Sequence, residues 1–428
     1  MGKQAGCYQG GEGYCYVDGC TSCPSSPCND LCNFDNWCCD DIGGLVGELC
    51  CQQDCGPWRL FPNNCGGIEL YGWIAAGFTH NADSPPSRYN GPLTFNDRDD
   101  EGQMNQVYAI AEKPFDGSCG WDWGGRVDFL YGTDGRFTQA VGLELNQDGT
   151  QGLNAGQRFY HMAIPQVYLD VGRGDWMLRA GHFYTIIGYE GVMAAGPNNF
   201  FYSHPYVHQY GEPFTHTGAL LYWTPSDAWQ LIGGVHTGWD TLTVANNGGD
   251  RLSFLGGVNW AAEYVAISVS GTIGDENDGT GAFRQRELIS GVLTASITKR
   301  LSYALQADYG RQGVAGGSGQ EWYGVNQYAY FCLTDCWSAG MRFEWFRDNS
   351  GTRVVAVGDG NPASSGGFAG NFYQATVGLN WRPWQNLVVR PEVRWDWFDP
   401  STGIVARPFD DGAKNSQFTA AIDAVLTW

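Results

Sequence analysis

The sequence predicts an all-β fold: a transmembrane antiparallel up-and-down β-barrel of about 16 strands, preceded by a Cys-rich, disulfide-stapled N-terminal module. Three observations carry this. Segments of about ten residues alternate apolar and polar side chains with period two. The connections between them take turns between short and long. One face of the segments carries Arg, Asp and Glu, while the other carries Trp and Phe.

Composition agrees. The 428 residues include 62 Gly and are 14% aromatic. Only 16% are charged, against roughly 25% in an average soluble chain. No run approaches the ~20 apolar residues of a transmembrane helix. The net charge of −21 sets nucleic acid aside as a partner, because phosphate needs a basic surface, and favours cations.

Residues 1–66 form the first unit. They hold twelve of the fifteen Cys, from Cys7 to Cys65, with little apolar content. That density suggests disulfides and an oxidising compartment. Zinc is the rival reading. Cys20-x2-Cys23 and Cys51-x3-Cys55 suit it, but the doublets Cys38-Cys39 and Cys50-Cys51 do not. The odd total leaves at least one thiol free or paired outside the chain. No apolar stretch follows Met1-Gly2-Lys3, so an exported chain is expected here in mature or re-engineered form.

From Ile68 the alternation predicts strands over 68–78, 104–113, 119–132, 158–170, 175–185, 214–224, 228–239 and 252–262. It continues over 263–273, 286–298, 301–311, 321–331, 336–347, 371–381, 387–397 and 417–428. In the third strand Trp121, Trp123, Val127 and Phe129 oppose Asp122, Arg126 and Asp128. Later Met341, Phe343 and Trp345 oppose Arg342 and Glu344, and Val393, Trp395 and Trp397 oppose Arg390, Glu392, Arg394 and Asp396. In the last strand Phe418, Ile422 and Leu426 oppose Asp423. These charges are expected to face a lumen. The apolar face ends in Trp223, Trp239, Trp345, Trp395, Trp397 and Trp428, as in the aromatic girdles of a lipid-facing exterior. Closure is required because no unpaired edge can lie in lipid. A barrel this wide is expected to keep an aqueous channel. The amphipathic last strand ending on Trp428 is similar to the signal by which barrel-assembly machinery recognises its substrates.

Seven tight turns and eight long loops then alternate, the tight turns on the periplasmic side. Cys332 and Cys336 flank one tight turn, where a disulfide between them is expected, and Cys119 lies at another. The 1–66 module precedes the first strand and is expected on the same side, as a plug or cap. Acidic residues cluster in long loops: Asp97, Asp99, Asp100 and Glu101; Asp275, Glu276 and Asp278; Asp410 and Asp411. Solvated loop tips explain them most simply. Bridging by a divalent cation such as Ca2+ is the alternative, and no other cofactor is expected.

The third long loop, 186–213, is the longest. It holds Tyr189, Glu190, Phe200, Phe201, Tyr202, His204, Tyr206, His208, Tyr210 and Glu212. Exposed, so many aromatics would be a liability, so they are expected to pack on the barrel wall. His204, His208 and His216 suggest a metal, but Pro205 disfavours the helix that would align the first two, and acidic partners are few. Packing and hydrogen bonding are the expected roles. A glycosidase-like pair among Asp128, Glu344, Glu392, Asp396 and Asp423 is the other catalytic reading. Each has an Arg nearby, and mixed charges more simply set a field that screens solutes.

Four blocks, "AGHFYTIIGYEGV", "NNFFYSHPY", "YGEPFTHTGALLYW" and "LIGGVHTGWD", resemble signatures of the putative beta-barrel porin type 2 family, outer-membrane porins of planctomycete-type bacteria. The resemblance covers about Gly67 to Trp428, a barrel domain of 67–428 after the 1–66 module. It implies a bacterial outer-membrane channel or porin and carries over neither a solute nor catalytic residues; passive diffusion of small hydrophilic solutes or ions is the leading expectation. In general porins the third loop folds into the channel, which gives loop 186–213 the role of constriction. The acidic excess adds an expected cation preference. Expected partners are outer-membrane lipid, small solutes or ions, the assembly machinery and further copies of the chain, as a trimer. The alternative is a structural or adhesive envelope protein that uses the barrel as its membrane anchor.

Overall fold

Period-two alternation with β-branched and aromatic residues on one side builds strands rather than helices, and the computed structural model shows them closing into a barrel. It describes residues 58–61, 67–153, 158–244, 251–277, 282–355 and 367–428. The Cys-rich segment, with the disulfides expected there, lies outside the described residues.

Among the described residues the strands are β1 (Glu69–Asn81), β2 (Glu101–Lys113), β3 (Trp121–Gly132), β4 (His161–Ala163), β5 (Val167–Arg173) and β6 (Trp176–Tyr184). They continue with β7 (Thr215–Ser226), β8 (Trp229–His236), β9 (Ser253–Ala261), β10 (Val265–Asn277), β11 (Phe283–Ser296) and β12 (Leu301–Gln312). The last are β13 (Gln320–Cys332), β14 (Trp337–Asp348), β15 (Gly370–Trp384), β16 (Leu387–Pro400) and β17 (Ser416–Thr427). β4 and β5 both pair with β3 and form one interrupted span, so sixteen spans make the barrel. Neighbours pair antiparallel in sequence order, and β1 closes on β17 from Trp73↔Thr427 to Asn81↔Thr419. Trp428 extends the seam, because its N–H donates to Gly72 O at 2.9 Å and its carbonyl accepts from Gly72 N–H at 3.1 Å. No helix among the described residues is long and apolar enough to cross a membrane.

The two faces divide as the alternation requires. Leu169, Leu221, Ile289, Met341, Val377, Val393 and Ile422 point outward and are exposed. Two aromatic belts flank this apolar band. At the short-turn end Trp176 stacks on Trp223 and Trp337 on Trp381, with ring centroids 5.3 and 5.7 Å apart. At the long-loop end Tyr373 stacks on Trp397 at 5.4 Å and Trp345 meets Tyr323 edge-on at 5.6 Å. Such belts sit at the two membrane–water interfaces.

Two expectations need correction. Trp239 is not in the outer belt. It is buried at the long-loop mouth, edge-on to Trp322 at 6.2 Å and under the Arg286 guanidinium at 4.8 Å. It follows the end of β8, where alternation no longer reports which side a ring faces. The long loop expected over 273–285 is also shorter, because β10 and β11 stay paired through Asp275↔Gln285 and Glu276↔Arg284. These polar rungs carry no apolar alternation and so read as loop.

The chain enters the barrel at the short-turn rim. The Trp58 N–H donates to Asn386 Oδ1 at 2.7 Å, Asn386 Nδ2 donates to Trp58 O at 2.9 Å, and Phe61 packs edge-on to Trp428 at 5.8 Å. Cys332 and Cys336 flank the β13–β14 turn and are both disulfide-bonded, whereas Cys119 is free and exposed.

The interior departs from a simple water-filled tube. Tyr168, Phe183, Leu220, Ile232, Leu255 and Leu288 on β5–β11 point inward and form one apolar cluster with Leu93, Ile187, Tyr206, Val207 and Tyr210. Long loops fold in and fill space that wall side chains alone could not reach.

Candidate functional site: the loop inside the lumen

The connection from β6 to β7 turns inward at Gly188, whose φ of +91° suits glycine and where a β-carbon would lie 2.3 Å from Glu212 Oε2. From there the loop crosses the lumen to the far wall. His204 and Pro205 lie outside any helix, so His204 and His208 do not share one helical face, as the sequence suggested. Pro205 comes just before a π-helical turn, Val207–Gly211, where its missing N–H costs no helical hydrogen bond. That turn brings His208 Nδ1 to 3.8 Å from Glu212 Oε2.

The wall carboxylates and guanidiniums that the alternation placed in the lumen meet this loop. Glu344 accepts the N–H groups of Tyr206 and Val207, both at 2.7 Å. Glu392 accepts those of Tyr202 at 2.8 Å and Ser203 at 3.3 Å. Arg342 donates to Ser203 O at 2.7 Å and to Glu190 Oε1 at 3.0 Å. Arg394 donates to His204 O at 2.6 Å, and Arg390 to Asn199 O at 2.7 Å. Asp396 pairs with Arg394 at 2.7 Å and accepts the Tyr206 hydroxyl at 2.8 Å, while Arg390 Nε donates to Asp423 at 2.8 Å. Charge-assisted bonds of this kind are the strong ones, and the loop peptide groups would be costly to bury without them.

A quarter of the way round, Arg126 pairs with Asp128 at 2.6 Å and contacts Met193 Sδ at 3.5 Å. Asp122 stands apart from this set, because it lies at the short-turn rim and binds Lys113 at 3.2 Å. The opposite quarter contributes Gln306, which donates to Glu212, and Trp322, whose indole N–H donates to Gly211 O at 2.9 Å.

The aromatics lie where the wall is bare. A β-carbon at Gly77 would be 2.5 Å from the Tyr202 ring, at Gly340 2.4 Å from Phe200, and at Gly378 3.2 Å from Phe201. Phe200 also packs on Tyr330 at 5.0 Å, and Tyr189 on Tyr328 at 4.8 Å. Glycine on an inward rung thus makes room for a loop ring, a signal present in the sequence but unreadable without the pairing.

The first long loop was missed altogether as a lumen element. Leu93, Thr94, Phe95 and Asn96 are buried. The Thr94 N–H donates to Gln209 Oε1 at 2.6 Å, and Phe95 packs on His204 at 4.6 Å. Tyr210 donates its hydroxyl to Pro92 O.

The loop's own ionisable groups are shifted by this setting. Burial opposes ionisation of Glu190, yet Arg342 and the His204 hydrogen bond at 2.8 Å hold its carboxyl down to about 2. Burial and the neighbouring His204 push the His208 imidazole down to about 3. Burial and the adjacent Asp308 raise Glu212 well above the carboxylate range. His216 lies in β7, 3.1 Å from His236 and away from His204 and His208, so the three histidines do not converge. Among the described residues one triple has donor atoms within 4.8 Å of one another: His80, Asp99 and Asp100 at the outer mouth. Other loop carboxylates tie segments together, Asp97 to Arg136 at 2.8 Å and Asp411 to the Ser87 N–H at 2.9 Å.

The family model described as "Putative beta-barrel porin-2, OmpL-like" matches residues 67–428. No curated protein matches the chain. Among solved structures, the outer-membrane channel DcaP of Acinetobacter baumannii is similar with a TM-score of 0.53 at 11% identity, covering 85% of this chain and 99% of that one. OmpT of Vibrio cholerae gives 0.53 at 11%, covering 84% and 97%. A porin of Comamonas acidovorans gives 0.54 at 8%, covering 84% and 99%. At these identities the likeness is one of fold.

Proposed function

The chain belongs to the Putative beta-barrel porin-2, OmpL-like family, and from that membership we propose that it carries small hydrophilic solutes and ions across the bacterial outer membrane by passive diffusion, with loop 186–213 as the constriction. It is a porin-family barrel of the outer membrane, and that family points to a channel rather than an enzyme. The observation that carries the constriction is the loop's span. It leaves the barrel wall at β6 and is bonded to β14 and β16, half a circuit away. Shortening the loop between residues 196 and 209 widens the passage, so single-channel conductance of the purified chain rises. An unchanged conductance removes the loop from the constriction.

The acidic excess and the carboxylates at the outer mouth support a preference for cations. The Comamonas relative is described as anion-selective, but at 8% identity its selectivity does not transfer. A reversal potential measured in a salt gradient decides the sign, and anion selectivity refutes the preference. We also propose a homotrimer as the working form, which native mass spectrometry in detergent tests.

A second reading has one observation in its favour. The lumen-facing side chains near the loop are buried on every side, as they would be in a barrel that serves as the anchor of a structural or adhesive envelope protein. Solute flux through the loop-shortened chain separates the two.

A further inference from the structure

We infer that loop 186–213 is a gate that shuts the channel at rest, with Glu344 and Glu392 as the positioning residues that latch its tip. The inference rests on the channel reading above and adds a resting state to it.

The first support is the filled cross-section. Every one of the sixteen spans carries at least one lumen-facing side chain that is buried, for example Tyr108 on β2, Leu220 on β7, Leu288 on β11, Tyr328 on β13 and Arg394 on β16. An open passage along any part of this wall would leave side chains there partly wet.

The second support is the asymmetry of the grip. The loop springs from β6 and returns to β7, and its Tyr202–Val207 tip lies on the β14–β16 wall, opposite in the barrel order. At the root Ile187 packs in one cluster with Leu220, Ile232, Leu255 and Leu288, with polar contacts there from the neutral groups Gln306 and Trp322. Apolar packing of that kind has no direction and tolerates sliding. At the tip the wall partners are charged and directional. Two buried carboxylates each accept two successive backbone N–H groups, and two guanidiniums take the carbonyls of Ser203 and His204. The loop is a strap hinged at β6 and β7 and latched across the diameter.

The wall charges accordingly act on the loop before they act on solute. Neutralising the two carboxylates weakens four N–H contacts without changing side-chain size, and the strap is freed at its tip rather than at its root.

The test uses the full oxidised chain in planar bilayers, with heat-modified gel mobility as the check that each variant is a folded barrel. Four proteins are compared: the native chain, E344Q/E392Q, a chain shortened between residues 196 and 209, and Val393→Ala on the lipid face as a control. The native chain and the control are closed most of the time. The double variant raises the open fraction at least about tenfold, the factor that about 1.4 kcal/mol converts to. The shortened chain stays open. If E344Q/E392Q does not assemble, the single Glu392→Gln variant moves the open fraction in the same direction. A native chain that is continuously open, or an open fraction unmoved in the Gln variants while the shortened chain conducts, overturns the gate and leaves the channel standing. If none of the folded proteins conducts, the channel reading itself falls.

Discussion

Replacing Gly340 by alanine puts a β-carbon 2.4 Å from Cε1 of Phe200. Ordinary carbon contacts lie near 3.5–4 Å, so the ring or the strand must move by about 1 Å. The ring has little freedom, because it packs on Phe201 and Tyr330, both at 5.0 Å. The strand has less, because β14 is paired on both sides, Gly340 opposite Tyr330 and Gly378. The strain therefore passes to the loop tip, where overpacking of a filled interior costs about 1–3 kcal/mol. The expected result is a displaced tip, seen as faster limited proteolysis within 198–210 and a higher conductance. Phe200→Ala removes the colliding ring, so in that background Gly340→Ala should have little further effect, a coupling of about 0.5–3 kcal/mol for groups in contact. Equal proteolysis and conductance in the native and Gly340→Ala chains refutes the reasoning, as does a full Gly340→Ala effect in the Phe200→Ala background.

Acid should loosen the loop. His208 sits among Glu190, His204, Glu212 and Arg342, and its imidazole is held at about 3 against an ordinary 6.5. A depressed value means that the seated loop is favoured above pH 6.5 and loses that advantage as the pH falls towards 3. At about 1.4 kcal/mol per unit the full loss is of order 5 kcal/mol. Glu190 adds to it between 4.5 and about 2, while Glu212, raised in the seated loop, opposes it. Loop proteolysis should therefore quicken from pH 6.5 downward in the native chain and less so in His208→Phe; an equal slope in both removes His208 from the effect. On the outer face, Val393→Arg puts a charge on an exposed apolar position of β16. It should cost about 2–4 kcal/mol of barrel stability in lipid, read from urea titrations in vesicles, and a neutral result would mean that β16 does not face the bilayer core.

The sixteen spans were legible because a strand in lipid must alternate, and alternation is local. The charges of Arg342, Glu344, Arg390, Glu392 and Arg394 were legible as inward-facing for the same reason. Their partners were not. Glu344 binds peptide N–H groups 137 and 138 residues away, and a backbone donor leaves no mark on residue type. Thr94 meets Gln209 across 115 residues, so nothing near Thr94 announces that the first loop enters the lumen. Gly77, Gly340 and Gly378 did leave a mark, but glycine also serves turns and bulges, and only the register assigns them to Tyr202, Phe200 and Phe201. Trp239 failed for the opposite reason: its type suits an interfacial belt, while its place beyond β8 puts it in the mouth.

The central claim is that the barrel is a solute channel whose lumen loop 186–213 restricts. Swelling of proteoliposomes in iso-osmotic sugars of increasing size tests it most directly, with the native chain compared to one shortened between residues 196 and 209. The shortened chain should swell fast in the smallest sugars and progressively more slowly in larger ones, and the native chain more slowly throughout. Swelling of the shortened chain no faster than that of protein-free vesicles, with the barrel folded, would contradict the account and leave the barrel as an anchor.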